Sequence, residues 1–297
     1  GGLLMAVSGT VPTELGDKKI RDLLMQYAVP AIIAMTASSL YNMVDSIFIG
    51  HIKDVGSYAI SGLAVTFPLM NISTALGTLV GVGASTILSM LLGQRNYQAA
   101  NKVIINEVML NVIIGTLYTV ITLVFLDPIL MFFGASANTL PYARDYMVII
   151  LIGNVITHLY FGLNNIIRAS GNPKLAMALT IFTVVSNTIL DPIFIFWLDM
   201  GIKGAALATV ICQLLALVYT VRYFLSGKNY LRLPRRMSEY RLDWRIAKDS
   251  LTVGMGPFLM NSAACIVTMF INQQLSKYGG DLAIGAYGIV NRFTFLF

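Results

Sequence analysis

Residues 175–197 read LAMALTIFTVVSNTILDPIFIFW, and the fold class follows from this run. It is about as long as the roughly 20 apolar residues that a helix needs to cross a bilayer. Its single charged residue is Asp191, which precedes Pro192. The run therefore predicts a membrane-spanning helix that carries an acid.

Similar apolar runs recur along the chain. Hydrophobic residues make up 57% of the sequence and charged residues 11%, against about 25% charged in a typical soluble domain. We predict an all-α polytopic membrane protein with seven complete spans and the start of an eighth. The predicted spans are 25–50, 58–92, 103–133, 142–168, 174–198, 203–226, 249–276 and a last one from about 282.

The basic residues indicate the orientation. The net charge is +6, and fifteen Lys and Arg fall on the side of the N-terminus against four on the other side. The positive-inside rule then predicts a cytoplasmic N-terminus in the plasma (cell inner) membrane. The basic residues lie between apolar blocks, which argues against a nucleic-acid-binding stripe.

Residues 227–248 differ from the spans because basic residues are interspersed with apolar and aromatic ones there. We interpret them as a cytoplasmic linker with an amphipathic helix on the anionic leaflet. The linker separates an N-terminal lobe, 1–226, from the start of a second lobe, 249–297.

The sequence also shows a weak internal repeat. Asp45 lies fifteen residues after Pro30, and Asn272 lies fifteen residues after Pro257. This spacing suggests two parallel six-helix lobes or a chance match. The chain stops at Phe297 within the eighth span, so we expect a longer protein.

Asp45 is the first candidate for chemistry. Tyr41 and Asp45 are four residues apart, so they share a helix face and the phenol can bind the carboxylate. An ionised carboxylate at mid-bilayer costs at least about 2.5–3.5 kcal/mol. Asp45 is therefore either a proton or cation site or, since Gly50 is close, a hydrated acid near the membrane surface.

Asp191 is the second candidate, and Asn187 lies one turn before it. A carboxylate beside an amide carbonyl suits a proton or a hard cation. Pro192 removes one backbone hydrogen bond and bends the helix at the acid. The alternative is that Asp191 caps a helix that begins at Pro192.

Other polar residues in the spans are less specific. Thr209 alone is typical of helix packing. Asn164 and Asn165 suggest either a supporting polar network or ordinary bonds between helices. His158 is expected to be packed and bonded, and Glu107 is expected to stay hydrated near the cytoplasmic surface. Flexible or polar residues of the seventh span could line a substrate cavity: Met260, Asn261, Met269 and Asn272.

Three motifs together resemble the MATE (multidrug and toxic compound extrusion) family. They are residues 30–50 with Tyr41-Asn42-Met43-Val44-Asp45, residues 162–173 ending in Arg168-Ala169-Ser170-Gly171-Asn172-Pro173, and Asn187 followed by Asp191-Pro192. The resemblance is closest to the prokaryotic DinF-like branch. It implies twelve spans in two six-helix bundles, of which this chain covers spans one to seven and the start of the eighth.

The resemblance also implies a function. The family's cation site corresponds here to Asp45, Asn187, Asp191 and Thr209, with Tyr41 beside it. The expected protein is a monomeric antiporter that exports cationic or amphipathic drugs in exchange for H⁺ or Na⁺ by alternating access. It needs no cofactor and no metal beyond a possible Na⁺ at those four residues, and it binds no nucleic acid.

The alternative is a flippase or exporter of lipid-linked oligosaccharides or polysaccharides from the same superfamily. An enzyme is not expected, because His51 and His158 are far apart in sequence.

Overall fold

The computed structural model of this chain describes residues 18–52, 55–226, 231, 233–234 and 240–294. All regular elements in these ranges are helical. A π-helical segment, Ile193–Trp197, directly follows the α-helix that ends at Pro192. In chain order the helices are α1 (Ile20–Gly50), α2 (Gly56–Gly93), α3 (Tyr97–Val124), α4 (Leu126–Phe132), α5 (Leu140–Ile152), α6 (Asn154–Ala169), α7 (Pro173–Pro192), α8 (Ile202–Leu225), α9 (Trp244–Tyr278) and α10 (Gly280–Thr294).

Six of the described helices are long and apolar enough to cross a membrane: α1, α2, α3, α7 with its π segment, α8 and α9. Helices α5 and α6 together form a seventh span, which bends by 56° at Gly153. The side chain of Val210 on α8 occupies the place of a Gly153 side chain, 2.7 Å from an ideal Cβ. The predicted fold class, an all-α polytopic membrane protein, is confirmed.

Two predicted spans are less regular than the sequence suggests. The predicted span 142–168 is the bent pair α5 and α6. The predicted span 103–133 is α3 followed by the short helix α4, with Phe125 between them. Pro128 follows the break at Phe125 and lies in the first turn of α4, where a helix tolerates proline, whereas no proline interrupts the run at Gly153, so apolar composition alone does not reveal that bend.

Asparagine caps begin two of the spans. The side chain of Asn96 accepts a hydrogen bond from the backbone N–H of Ala99 at 3.2 Å, and that of Asn172 accepts one from Leu175 at 3.3 Å. Gly171, just before the second cap, has φ of +100°, which glycine adopts without strain. These turns reverse the chain between antiparallel helices.

Helix α2 is the central element, since α1, α3, α5, α6, α9 and α10 all pack against it. Its closest approach to α9 is between backbones. An added methyl group at Gly83 would overlap the carbonyl oxygen of Ser250, and one at Gly254 would overlap that of Leu79. Small residues allow this kind of close crossing in membranes. Helix α9, which begins the expected second lobe, is thus packed along α2.

Much of the predicted amphipathic linker helix, residues 227–230, 232 and 235–239, lies outside the described residues. Leu231 and Leu233 are buried among apolar residues of α2, α3, α6, α7 and α8. Residues 244–248, predicted as linker, belong to the first turns of α9, because the side chain of Asp243 caps the helix by accepting from the N–H of Arg245 at 3.0 Å.

Candidate functional site

Helices α1 and α7 pack together and place two acids side by side. Asp45 is 3% exposed and Asp191 is fully buried. Their carboxyl groups lie close enough to interact electrostatically. Asp45 is therefore not a hydrated acid at the membrane surface. Asp191 lies inside α7 rather than before a new helix, so the interpretation of Asp191 as a helix cap is wrong.

The hydroxyl of Thr209 on α8 joins this pair to its surroundings. It is 3.1 Å from the hydroxyl of Tyr41 on α1, and it accepts a hydrogen bond from the side-chain amide of Asn187 on α7 at 3.2 Å. It also donates to the carbonyl of Ala205 at 3.1 Å. The five residues that sequence analysis assigned to the cation site thus lie together. Their role as cation ligands stays a prediction.

Several oxygen atoms of this cluster have no hydrogen-bond donor. They are Oδ1 of Asp45, both carboxyl oxygens of Asp191 and Oδ1 of Asn187, and all four are buried. Two neighbouring carboxylates repel each other in a low-dielectric environment. A proton shared between them would supply a donor, and a small cation would supply positive charge to several oxygen ligands at once. The arrangement can therefore bind a proton or a hard monovalent cation.

The structure adds residues to the site that the sequence analysis missed. Tyr146 on α5 is 3% exposed and is close enough to Asp45 and Asp191 to interact with both electrostatically. No spacing in the sequence connects it to either acid, because it reaches the site through the packing of α5. Cys212, buried in α8, also lies near Asp191. It is one turn after Thr209, so helical spacing could have identified it.

Arg292 connects α10 to the helix that carries Asp45. Its guanidinium donates to the backbone carbonyl of Asn42 on α1 at 2.7 Å, and its Cζ lies 4.8 Å from the centre of the Phe67 ring on α2. The side chain is 6% exposed. Arg292 therefore ties the start of the expected second lobe to α1 one turn before Asp45.

Asn164 and Asn165, the predicted supporting network, make no described contact with this cluster. Asn164 donates to the carbonyl of Ala176 on α7 at 3.1 Å and accepts a long hydrogen bond from Arg168. The side-chain nitrogen of Asn165 is buried and has no partner. A bond between neighbouring helices accounts for Asn164, and Asn165 lies instead beside Gly81 on α2.

The four predicted cavity residues have different surroundings. Met260 is 76% exposed, and Met269 is packed against the core around α2 and α5. Asn261 donates to the hydroxyl of Thr78 at 3.4 Å. Asn272 is fully buried and donates to the carbonyl of Ala64 at 3.2 Å. In this conformation the two asparagines join α9 to α2, and their role in substrate binding stays a prediction.

A bundle of apolar spanning helices that buries a pair of carboxyl groups is typical of secondary membrane transporters. The sequence profile of the MatE family matches residues 30–193, which is more than half of the chain. The chain belongs to the MatE family. The resemblance drawn from the three sequence motifs is thereby confirmed.

Individual relatives agree with this assignment. The chain is 30% identical over 266 residues to the multidrug export protein MepA of Staphylococcus aureus (strain MSSA476), covering 90% of this chain and 58% of MepA. It is 32% identical over 273 residues to MepA of Staphylococcus haemolyticus (strain JCSC1435), covering 92% and 59%. The chain therefore spans about three-fifths of the length of these relatives.

The fold is similar to solved transporter structures. The MATE multidrug transporter DinF-BH, solved in complex with a ligand, superimposes with a TM-score of 0.88 and 36% sequence identity, covering 95% of this chain and 62% of the other. An inward-facing MATE transporter of the MOP superfamily gives 0.81 at 25% identity, covering 91% and 61%. The chain thus represents the N-terminal part of the twelve-span fold.

Proposed function

We propose that the complete protein is a secondary antiporter that exports amphipathic or cationic drugs in exchange for H⁺ or Na⁺. The observation that carries the proposal is the pair of buried acids, Asp45 and Asp191, since three of their carboxyl oxygens and the amide oxygen of Asn187 lack donors. The names of the relatives, which are multidrug export proteins, support the class of substrate. Transport, rather than a reaction on the substrate, is the proposed activity.

The proposed cycle depends on the neutralisation of this pair. Without a proton or cation the two carboxylates repel each other, which favours a separation of α1 and α7. A bound proton or Na⁺ removes the repulsion and brings α1, α7 and α8 together around Thr209. Helix α1 can bend at Pro30 and α7 at Pro192, so neutralisation changes the shape of the lobe. Reciprocal linkage then requires that drug and cation each weaken the binding of the other.

The topology belongs to the same proposal. We infer a monomer in the cell inner membrane. Its N-terminus would lie in the cytoplasm, because the basic residues are concentrated on that side. Residues 1–226 and 249–297 would belong to the two lobes, with 227–248 between them. Alternating access would be a rocking of these lobes around the substrate.

Efflux of a fluorescent cationic dye from cells that express the complete gene tests this proposal. The variant is Asp45→Asn, which keeps the size of the side chain and removes its negative charge and its titratable proton. Asp22→Asn is the matched control, because Asp22 is an exposed acid in the first turn of the same helix. Gradients of Na⁺ and of pH are imposed separately.

We expect the wild type and Asp22→Asn to export dye and Asp45→Asn to lose export. The gradient that drives export identifies the coupling ion. Wild-type rates in both Asp45→Asn and Asp191→Asn would overturn the antiport mechanism. A wild type that exports no dye under either gradient would overturn drug export, and lipid-linked sugars would be the next substrates to examine.

A further inference from the structure

Helix α3 contains a third buried acid, which the proposed antiport site does not use. Glu107 is fully buried, so the expectation that it stays hydrated at the surface is wrong. It lies ten residues into α3, or roughly 15 Å from its start. One of its carboxyl oxygens accepts from the side-chain amide of Asn111. The other oxygen, and Oδ1 of Asn111, are buried and have no donor.

Glycines bring two other helices up to this acid. An added methyl group at Gly162 on α6 would overlap the carboxyl group of Glu107. At Gly81 on α2, an ideal Cβ would lie 3.1 Å from Nδ2 of Asn165, a buried donor without an acceptor. Acceptors without donors and a donor without an acceptor therefore lie in one glycine-lined region. Buried polar groups of this kind are usually satisfied by ordered water.

The same three helices carry more polar groups further along. His158 lies one turn before Gly162, and its Nε2 is 3.0 Å from both the hydroxyl and the carbonyl oxygen of Ser73 on α2. Its Nδ1 is buried without a partner and faces Gly115 on α3, 3.4 Å from an ideal Cβ there. Asn154 accepts from the Ser73 hydroxyl at 2.7 Å.

These residues form a seam between α2, α3 and α6. On α3 the positions 107, 111 and 115 are spaced by four, so they lie on one face and span about 12 Å. On α6 the polar or glycine positions 154, 158, 162 and 165 are spaced by four, four and three, so they also lie on one face. The seam thus has a titratable group at each end, Glu107 and His158, and glycine backbone between them.

We propose that this seam is a hydrated proton path, separate from Asp45 and Asp191, that stores and exchanges a proton between Glu107 and His158. Transfer breaks the O–H bond of the Glu107 carboxyl group and forms an N–H bond at Nδ1 of His158. Each water between them gains one proton and gives up one. The product is a carboxylate and an imidazolium within one network, so the total charge is unchanged.

No counter-ion competes for this proton in the described ranges. Helix α2 carries no acidic or basic residue, and no described ion pair includes Glu107. The charged or titratable groups on α6 and on the first turns of α9, both of which pack against α3, are His158, Tyr160, Arg168, Arg245, Lys248 and Asp249. A buried carboxylate without a cation is costly in a membrane, so the proton itself is the partner that the geometry suits.

Infrared spectroscopy of the complete purified protein can detect this proton directly. The measurement uses a background of Asp45→Asn and Asp191→Asn, so that the antiport pair contributes no protonated carboxyl band. We expect a remaining C=O band of a protonated carboxyl group that Glu107→Gln removes and the exposed-site control Asp22→Asn keeps. We expect His158→Gln to keep the band but to slow its isotope shift after transfer to D₂O. A band that survives Glu107→Gln, or an unchanged exchange rate in His158→Gln, would overturn the proposal.

A transport assay in vesicles links the seam to the proposed function, on which this second readout rests. We expect pH-driven export by Glu107→Gln to be slower by about tenfold or more, with the folded protein eluting as wild type on gel filtration. If Asp45→Asn is inactive while Glu107→Gln exports at the wild-type rate, the seam has no part in transport and the antiport site stands. If the wild type exports nothing, the proposed function fails, and the infrared band still decides whether Glu107 holds a proton.

Discussion

The hydroxyl of Thr209 contacts Tyr41 on α1 and Asn187 on α7, so a single oxygen atom joins three helices at the acid pair. By sequence it is one of many threonines in apolar helices, and most of those bond only to their own helix. Thr220 on α8 is an example: it is fully buried and donates to the carbonyl of Ala216 at 2.8 Å. A comparison of the two residues therefore distinguishes a threonine that contacts the acid site from one that only bonds to its own helix.

Replacement of Thr209 by Val should weaken cation coupling without unfolding the protein. Valine keeps the shape of the side chain but leaves the Asn187 amide without its acceptor, at a cost of about 1–2 kcal/mol. We expect about a tenfold rise in the cation concentration that half-saturates transport. Thr220→Val is the matched control and should transport as wild type. Equal effects of the two substitutions would mean that Thr209 serves only to pack α8.

At the scale of helices, the crossing of α2 and α9 depends on the absence of side chains. Gly83 and Gly254 each place backbone against a carbonyl oxygen of the other helix. Gly256, two residues further along α9, has open space where its side chain would be. Two glycines of one helix thus differ only in what they face.

Gly254→Ala should destabilise the protein and Gly256→Ala should not. The added methyl group at position 254 must push α9 away from Leu79, and overpacking of this kind costs about 1–3 kcal/mol. At position 256 the exchange removes the low helix propensity of glycine, which is worth up to about 1 kcal/mol. Thermal unfolding of the complete protein in detergent measures the difference. A Gly254→Ala variant as stable as wild type would show that α2 and α9 do not cross this closely.

At the scale of the whole molecule, several contacts join the last described helices, α9 and α10, to the helices before them. Besides the α2–α9 crossing, Arg292 bonds to the backbone of α1, and Asp281 at the start of α10 accepts from the hydroxyl of Ser136 at 2.7 Å. The tie by Arg292 is the one that lies closest along α1 to Asp45. A movement of α1 at the acid pair would therefore also displace α10, through the hydrogen bond of Arg292.

Removal of this tie should loosen α1 from α10. Spin labels at the exposed positions Leu40 on α1 and Val290 on α10 report the distance between the helices, in a protein whose native cysteines, Cys212 and Cys265 included, are replaced. We expect Arg292→Met to broaden the distance distribution, because methionine fills the space but donates no hydrogen bond. Arg292→Lys keeps a charge near the Phe67 ring and should broaden it less. Identical distributions in all three proteins would contradict a tie at this residue.

The sequence by itself determined the fold class and the principal candidate residues. Apolar runs of membrane length predict helices because an unpaired backbone is too costly in lipid, and this requirement is local to each run. Asp45 and Asp191 stand out for the same reason, since an acid within such a run is costly wherever its partners are. Their i, i+4 neighbours, Tyr41 and Asn187, follow from helical geometry alone.

The tertiary structure decided which residues meet across helices. Tyr146 and Arg292 lie about one hundred residues or more from Asp45 in the chain, and no period in the sequence connects them to it. The burial of Glu107 was predicted wrongly, because its position near the start of α3 suggests a hydrated surface, whereas Gly162 and Gly81 let α6 and α2 close over it. Local spacing predicts what one helix can present, but only the packing of helices determines which groups lose their water.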